Sequence, residues 1–178
     1  MQDPARLLAE ARAQLAAFVP ALERLLGALD AGAWRVRPAE NEWAPVEILC
    51  HLRDEETADF GARLRVIVEG GPGFAPIDPP RWAVERAYLD ADGPAVLTDL
   101  GRRRAVTLVS LGGVPPERLT RAIEHPGAGR LSGLDLLAAW VTHDRLHLAQ
   151  LAATLARTWS TRWAPLRTEY AGPIPYAQ

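Results

Sequence analysis

The chain contains no lysine: all 20 of its basic side chains are arginine. Schiff-base chemistry and the phosphate-binding lysine of a P-loop are therefore excluded, although a codon-composition bias would leave the same gap. Cysteine is almost as scarce. With Cys50 alone, neither an internal disulfide framework nor a cysteine-rich zinc module can form. No apolar run approaches the roughly 20 uncharged residues that span a bilayer. The opening stretch MQDPARLLAEARAQL carries acids and reads as a first helix, not a signal peptide. A cytoplasmic setting without a membrane partner is the expectation. Strand alternation and internal repeats are also missing. A net charge of −2 offers no basic face to nucleic acid, and the short run Arg102–Arg104 reads as a solvated helix surface.

What is present is helical. At 178 residues the chain suits one domain, 1–178, large enough to bury a core. Four segments carry apolar residues at three- and four-residue steps. The first follows Asp3-Pro4, runs through Leu8, Leu15, Phe18, Leu22, Leu25 and Leu29, contains Pro20 as an expected kink, and stops at 30-DAG-32. The second spans Pro45 to Glu69, with Pro45 in its first turn, Glu47 meeting the helix dipole and Gly70-Gly71 ending it. A linker, 70-GGPGFAPIDPP-80, is too rich in Pro and Gly for regular structure, and a short helical turn is expected over residues 81–89. The third helix begins near 92-DGP-94 and ends at Gly112-Gly113. The connection 124-EHPGAGR-130 suits a small hairpin. The fourth helix starts at Ser132, with Asp135 three residues on as in a capping box. The fold class is all-α: a four-helix bundle with a long crossover between helices two and three. Residues 159–178 read as an irregular tail.

Chemistry concentrates on two of these helices. In 132-SGLDLLAAWVTHDRLHLAQLAATLA-156, a turn of 100° per residue puts His143 and His147 on the edge of the apolar arc formed by Leu136, Leu137, Trp140, Val141, Leu148, Leu151 and Leu155. Four residues apart, both imidazoles can reach one ion. The spacing alone is weak, because Asp144 replaces the glutamate of the H-E-x-x-H protease motif, and two half-buried histidines bonded to neighbours would look the same. The second helix, 41-NEWAPVEILCHLRDEE-56, adds His51 on one face with Glu47, Asp54 and Glu55. Three inward histidines on two helices favour a metal site. Neutral imidazole suits Zn, Ni, Fe or Cu, and three protein ligands leave a position open for water or substrate. Asp54, Glu55 and Gln150 are candidates for orienting the imidazoles through their second nitrogens. Cys50 reads as a small buried apolar residue, Trp82 and Trp140 as core or cavity wall, and His125 as an exposed loop residue outside the site.

The stretch WAPVEILCHLRD, followed after about 90 residues by HDRLHLAQ, resembles the DinB-like (YfiT-like, DNA-damage-inducible) metalloprotein superfamily. That resemblance implies a DinB-like four-helix bundle, a homodimer, and a divalent metal held by His51, His143 and His147. Zinc comes first, with nickel, iron or manganese as alternatives. An apolar stripe left exposed on the first helix would suit the dimer. Two departures stand out. Ala44 occupies a position where relatives carry Ser or Thr, which weakens that cap. Ala149 stands where the ergothioneine-forming branch favours a glutamate. The resemblance also implies a transferase: a low-molecular-weight thiol cosubstrate, held as thiolate at the metal, attacks an electrophilic small molecule. Arg81, Arg86 or Arg130 would meet the carboxylates of such a thiol. The alternatives are a metal-dependent hydrolase with Glu55 or Asp54 as general base, and a non-catalytic metal-binding or stress-response bundle. A carboxylate-bridged di-iron bundle ranks last, since only Asp144-Arg145-Leu146-His147 imitates its motif.

Overall fold

The computed structural model describes residues 3–125 and 127–175. Pro126 of the expected hairpin and residues 176–178 of the expected tail lie outside them.

Each helix begins where local chemistry allows it. Helix α1 (Pro4–Leu26) starts on Asp3, whose side chain accepts from the Ala5 N–H, and runs unbroken through Pro20. It ends one turn earlier than 30-DAG-32, at the Gly27 cap. The second helix spans the expected range in two pieces, α2 (Pro45–Glu55) and α3 (Gly61–Glu69), joined by a π-helical turn over Glu56–Phe60. Ala44 has no side chain to cap α2, so the first turn is held by Glu47. Its carboxylate accepts from the Ala44 N–H at 2.9 Å and from Arg37 at 2.8 and 2.5 Å. Gly70 closes α3 at φ +79°, a left-handed conformation that glycine adopts without strain.

The crossover carries a short helix α4 (Pro79–Glu85) and a 3₁₀ turn at Tyr88–Asp90, then α5 (Gly93–Gly112) starts on Asp92. Strands β1 (Ala122–His125) and β2 (Gly129–Ser132) form the antiparallel hairpin, with Ala122 opposite Ser132. Helix α6 (Gly133–Arg162) opens with the Ser132–Asp135 capping box. It continues past residue 159 because Trp159 still packs on the core, so the irregular segment starts only after Arg162. No described helix is long and apolar enough to cross a membrane.

Helices adjacent in sequence are not the main neighbours in space. Both α1 and α2 pack on α5 and on α6, which sets the crossover between the second and third long helices. The large apolar residues of α1 are buried or half-buried, so the stripe is not exposed; exposed apolar residues lie elsewhere, Val106 and Val109 of α5 and Leu146 of α6 among them.

The core is in two parts. One holds Phe18, Leu22, Leu49, Leu100, Leu151 and Leu155; the other holds Leu15, Phe60, Leu64, Leu111, Leu136 and Trp140. Three chain segments change from one part to the other through buried polar residues: Asp54–Asp59 between Leu52 and Phe60, Arg104 between Leu100 and Leu111, and Asp144 between Trp140 and Leu151. Burying such groups is costly unless they are paired. The bundle therefore contains a polar layer between two apolar ones, and the candidate site lies in it.

Candidate metal centre

The i,i+4 pair His143 and His147 on α6 faces His51 on α2, as the helical period requires. Their ligand nitrogens lie within 4.8 Å of one another, close enough to share one metal ion. His147 Nε2 stands 3.1 Å from His51 Nε2 and 3.0 Å from His143 Nε2. Glu55, one turn after His51, brings Oε2 to 3.0 Å from His143 Nε2 and 3.5 Å from His51 Nε2. The rings are walled by aromatics, Trp43 at 5.1 Å from His51 and Phe60 at 5.0 Å from His143.

Hydrogen bonding assigns the tautomer of His147. Its Nδ1 lies 2.8 Å from Gln150 Oε1, which can only accept, so the proton sits on Nδ1 and the Nε2 lone pair faces the cluster. At most two imidazole N–H groups, from His51 and His143, then serve three contacts of 3.0–3.1 Å. A cation attracts all of these atoms at once, and neutral imidazole with carboxylate is the donor set that a borderline divalent metal takes. The residues present fit a metal.

Burial also favours the neutral form of His51 and His147. His51 is pulled down by desolvation first, against the pull of Glu55 in the other direction. Desolvation, then His143 and His51, lowers His147 from 6.5 to about 4. Unfolded, His147 takes up a proton near 6.5; folded, it resists until about 4. The unfolded state binds more protons in that window, so stability falls as pH drops through it and the loss levels off below it. At about 1.4 kcal/mol per pH unit, the loss is on the order of 3 kcal/mol. The imidazole NMR signals of His147 in metal-free protein are expected to titrate near 4; titration above 6 would contradict the burial argument. Glu55 is also buried, which by itself raises a carboxyl, yet the His143 hydrogen bond and the three imidazoles hold it below its ordinary value.

The other sequence candidates are elsewhere. Asp54 accepts from Arg53 at 2.8 Å, Arg86 at 2.5 Å and Tyr88 Oη at 2.8 Å, anchoring the crossover. Arg86 is thereby occupied, and it also stacks on Trp82 at 4.4 Å; Arg81 pairs with Glu85, and Arg130 is exposed. Trp140 is core, stacked on Phe60 at 5.2 Å. His125 is half-buried, not exposed; its Nδ1 accepts from the Gly127 and Ala128 N–H groups. Cys50 is fully buried, and its thiol is pushed up to about 11 by desolvation.

Beneath the imidazoles runs an ionic triad that the sequence pattern does not announce. Arg104, expected from its arginine run to be solvated, is 3% exposed. It donates to both oxygens of Asp144 at 2.7 and 3.2 Å, to Glu56 at 2.9 Å and to the Leu15 carbonyl at 2.9 Å. Asp144 is thus committed to arginine, which removes its resemblance to a di-iron ligand. A signal was present: Asp144 falls about 100° from His143 on the wheel, beside Leu151, and an acid on an apolar arc requires a partner. The π turn, a feature frequent at functional sites, starts with Glu56.

A mostly helical bundle with one small hairpin thus brings three imidazoles together in its polar layer, close enough to share one ion. Residues 14–151 match the DinB superfamily, and the chain belongs to it. Among solved structures it is similar to YfiT from Bacillus subtilis, described as a probable metal-dependent hydrolase with an unusual four-helix bundle topology. That match has 16% identity, covers 88% of this chain and 89% of YfiT, and gives a TM-score of 0.75. TT2238, described as a four-helix bundle protein, is 25% identical over 82% of this chain and 98% of its own, with a TM-score of 0.60. These likenesses establish the fold. No curated protein matches the chain.

Proposed function

We propose that the protein is a metal-dependent enzyme in which His51, His143 and His147 hold a divalent ion that activates a thiol cosubstrate for transfer to an electrophilic small molecule. The observation that carries this reading is the convergence of one ring nitrogen from each of the three histidines within 4.8 Å. A divalent ion bound there would lower the pKa of a thiol or water and polarise an electrophile. The chain supplies no nucleophile from its only cysteine, since Cys50 is buried and its thiol is pushed up to about 11; a thiol cosubstrate would bring its own. Gln150 holds His147 in the tautomer that presents Nε2, and Trp43 and Phe60 keep bulk water from the ring faces.

Hydrolysis is the second reading, favoured by the description of YfiT as a probable metal-dependent hydrolase. A screen of low-molecular-weight thiols against alkylating electrophiles, with metal-reconstituted protein, separates the two. Turnover that requires thiol supports transfer, whereas thiol-independent ester or amide cleavage supports hydrolysis and overturns the first reading.

Gln150 gives a quieter test. Replacing it with leucine removes the acceptor at 2.8 Å from His147 Nδ1 and frees the ring to rotate or change tautomer. Loss of such an orienting partner costs about 10–100-fold in metal affinity. Competition with a chromophoric chelator measures it; an unchanged affinity would show that the bond to Gln150 does not orient the ligand.

A further inference from the structure

The geometry points to Glu55 as a fourth protein ligand, giving a three-histidine, one-glutamate site. The inference rests on the reading of His51, His143 and His147 as metal ligands and adds to it a charged donor.

Three observations carry it. First, Glu55 is 5% exposed, and its Oε2 approaches the same nitrogens that face one another in the cluster, at 3.0 Å from His143 Nε2 and 3.5 Å from His51 Nε2. A carboxylate acting only through an imidazole would meet the outer nitrogen, as Gln150 does at His147 Nδ1. Glu55 instead meets the inner one. Second, the four donors form two matched i,i+4 pairs on facing helices, His51 with Glu55 on α2 and His143 with His147 on α6, so each helix turns a pair of donors toward the other.

Third, charge agrees, because a divalent ion held by the imidazoles in a buried layer would retain two positive charges, and the carboxylate would cancel one.

Cobalt(II) is the probe, because its visible bands report the donors bound to it. Full-length, metal-free protein purified without an affinity tag is titrated with cobalt(II), alongside Glu55→Gln, which keeps the shape and removes the charge, and Glu55→Asp, which keeps the charge and shortens the reach. The wild-type protein is expected to bind one cobalt. Glu55→Gln is expected to bind at least tenfold more weakly with altered bands, and Glu55→Asp to weaken binding and alter the bands as well. Cobalt binding with wild-type affinity and bands in whichever of the two variants folds overturns Glu55 as a ligand and leaves the three-histidine reading intact. A wild-type protein that binds no cobalt overturns the three-histidine reading as well.

Discussion

Replacing Arg104 with alanine is expected to destabilise the protein by about 3–5 kcal/mol, the range for removing one partner of a buried ion pair. The guanidinium is the common donor to Asp144, Glu56 and the Leu15 carbonyl. Without it two buried carboxylates face each other across a cavity and a carbonyl loses its donor. Desolvation already raises both acids above their ordinary values, with Arg104 working against that rise in each case. The missing guanidinium also ceases to pack between Phe18 and Trp140, over whose rings it lies at 5.4 and 5.6 Å. Neighbouring arginines provide the control. Arg102 is exposed, and Arg103 pairs with the half-exposed Asp99 at 3.0 Å, so alanine at either position should cost less than about 1 kcal/mol. Urea unfolding of the three variants measures the contrast. A loss below about 1 kcal/mol for Arg104→Ala would mean that the triad is not the anchor of the polar layer. Combining Arg104→Met with Glu56→Gln and Asp144→Asn should recover part of the loss, because no charge is then left unpaired.

His51→Ala is expected to act on chemistry instead of folding. His51 Nδ1 is buried and without a hydrogen-bond partner, so the ring contributes little that holds α2 in place, and the apolar faces of the helix remain. Removing His51 Nε2 takes one of the three ligand nitrogens and the only one supplied by α2. We expect a fall in kcat/KM of at least about 10³-fold, roughly 4 kcal/mol of transition-state stabilisation, with helical content unchanged by circular dichroism. Steady-state assays of metal-reconstituted protein with the thiol and electrophile found in the screen provide the measurement. Wild-type turnover in a folded His51→Ala would detach catalysis from the imidazole cluster.

Much of the architecture was legible because it is decided locally. Pro45 in a first turn, Gly70 at a positive φ, Asp92, and the reciprocal bonds of Ser132 and Asp135 are each settled within a few residues. The inward face of the histidines followed from the helical period, and the family signature joined His51 to the pair on α6. What stayed hidden depends on distance along the chain. Arg104 looks solvated within an arginine run because its partners lie 48 and 40 residues away. The π turn at Glu56–Phe60 leaves no periodic mark in so short a stretch, yet it follows directly on Glu55 and falls between Asp54, turned toward the crossover, and the second apolar layer. Asp54 and Glu55 are interchangeable as adjacent acids one turn after His51. Arg86 and Tyr88, brought in by the crossover, separate them.

Metal content of the full-length protein, purified without a histidine tag and measured by elemental analysis, tests the central claim most directly. The account predicts close to one divalent metal per chain after reconstitution and dialysis, lost in His51→Ala and in His143→Ala. Retention of less than a tenth of an equivalent by folded wild-type protein, under conditions where known metalloproteins keep theirs, would contradict it.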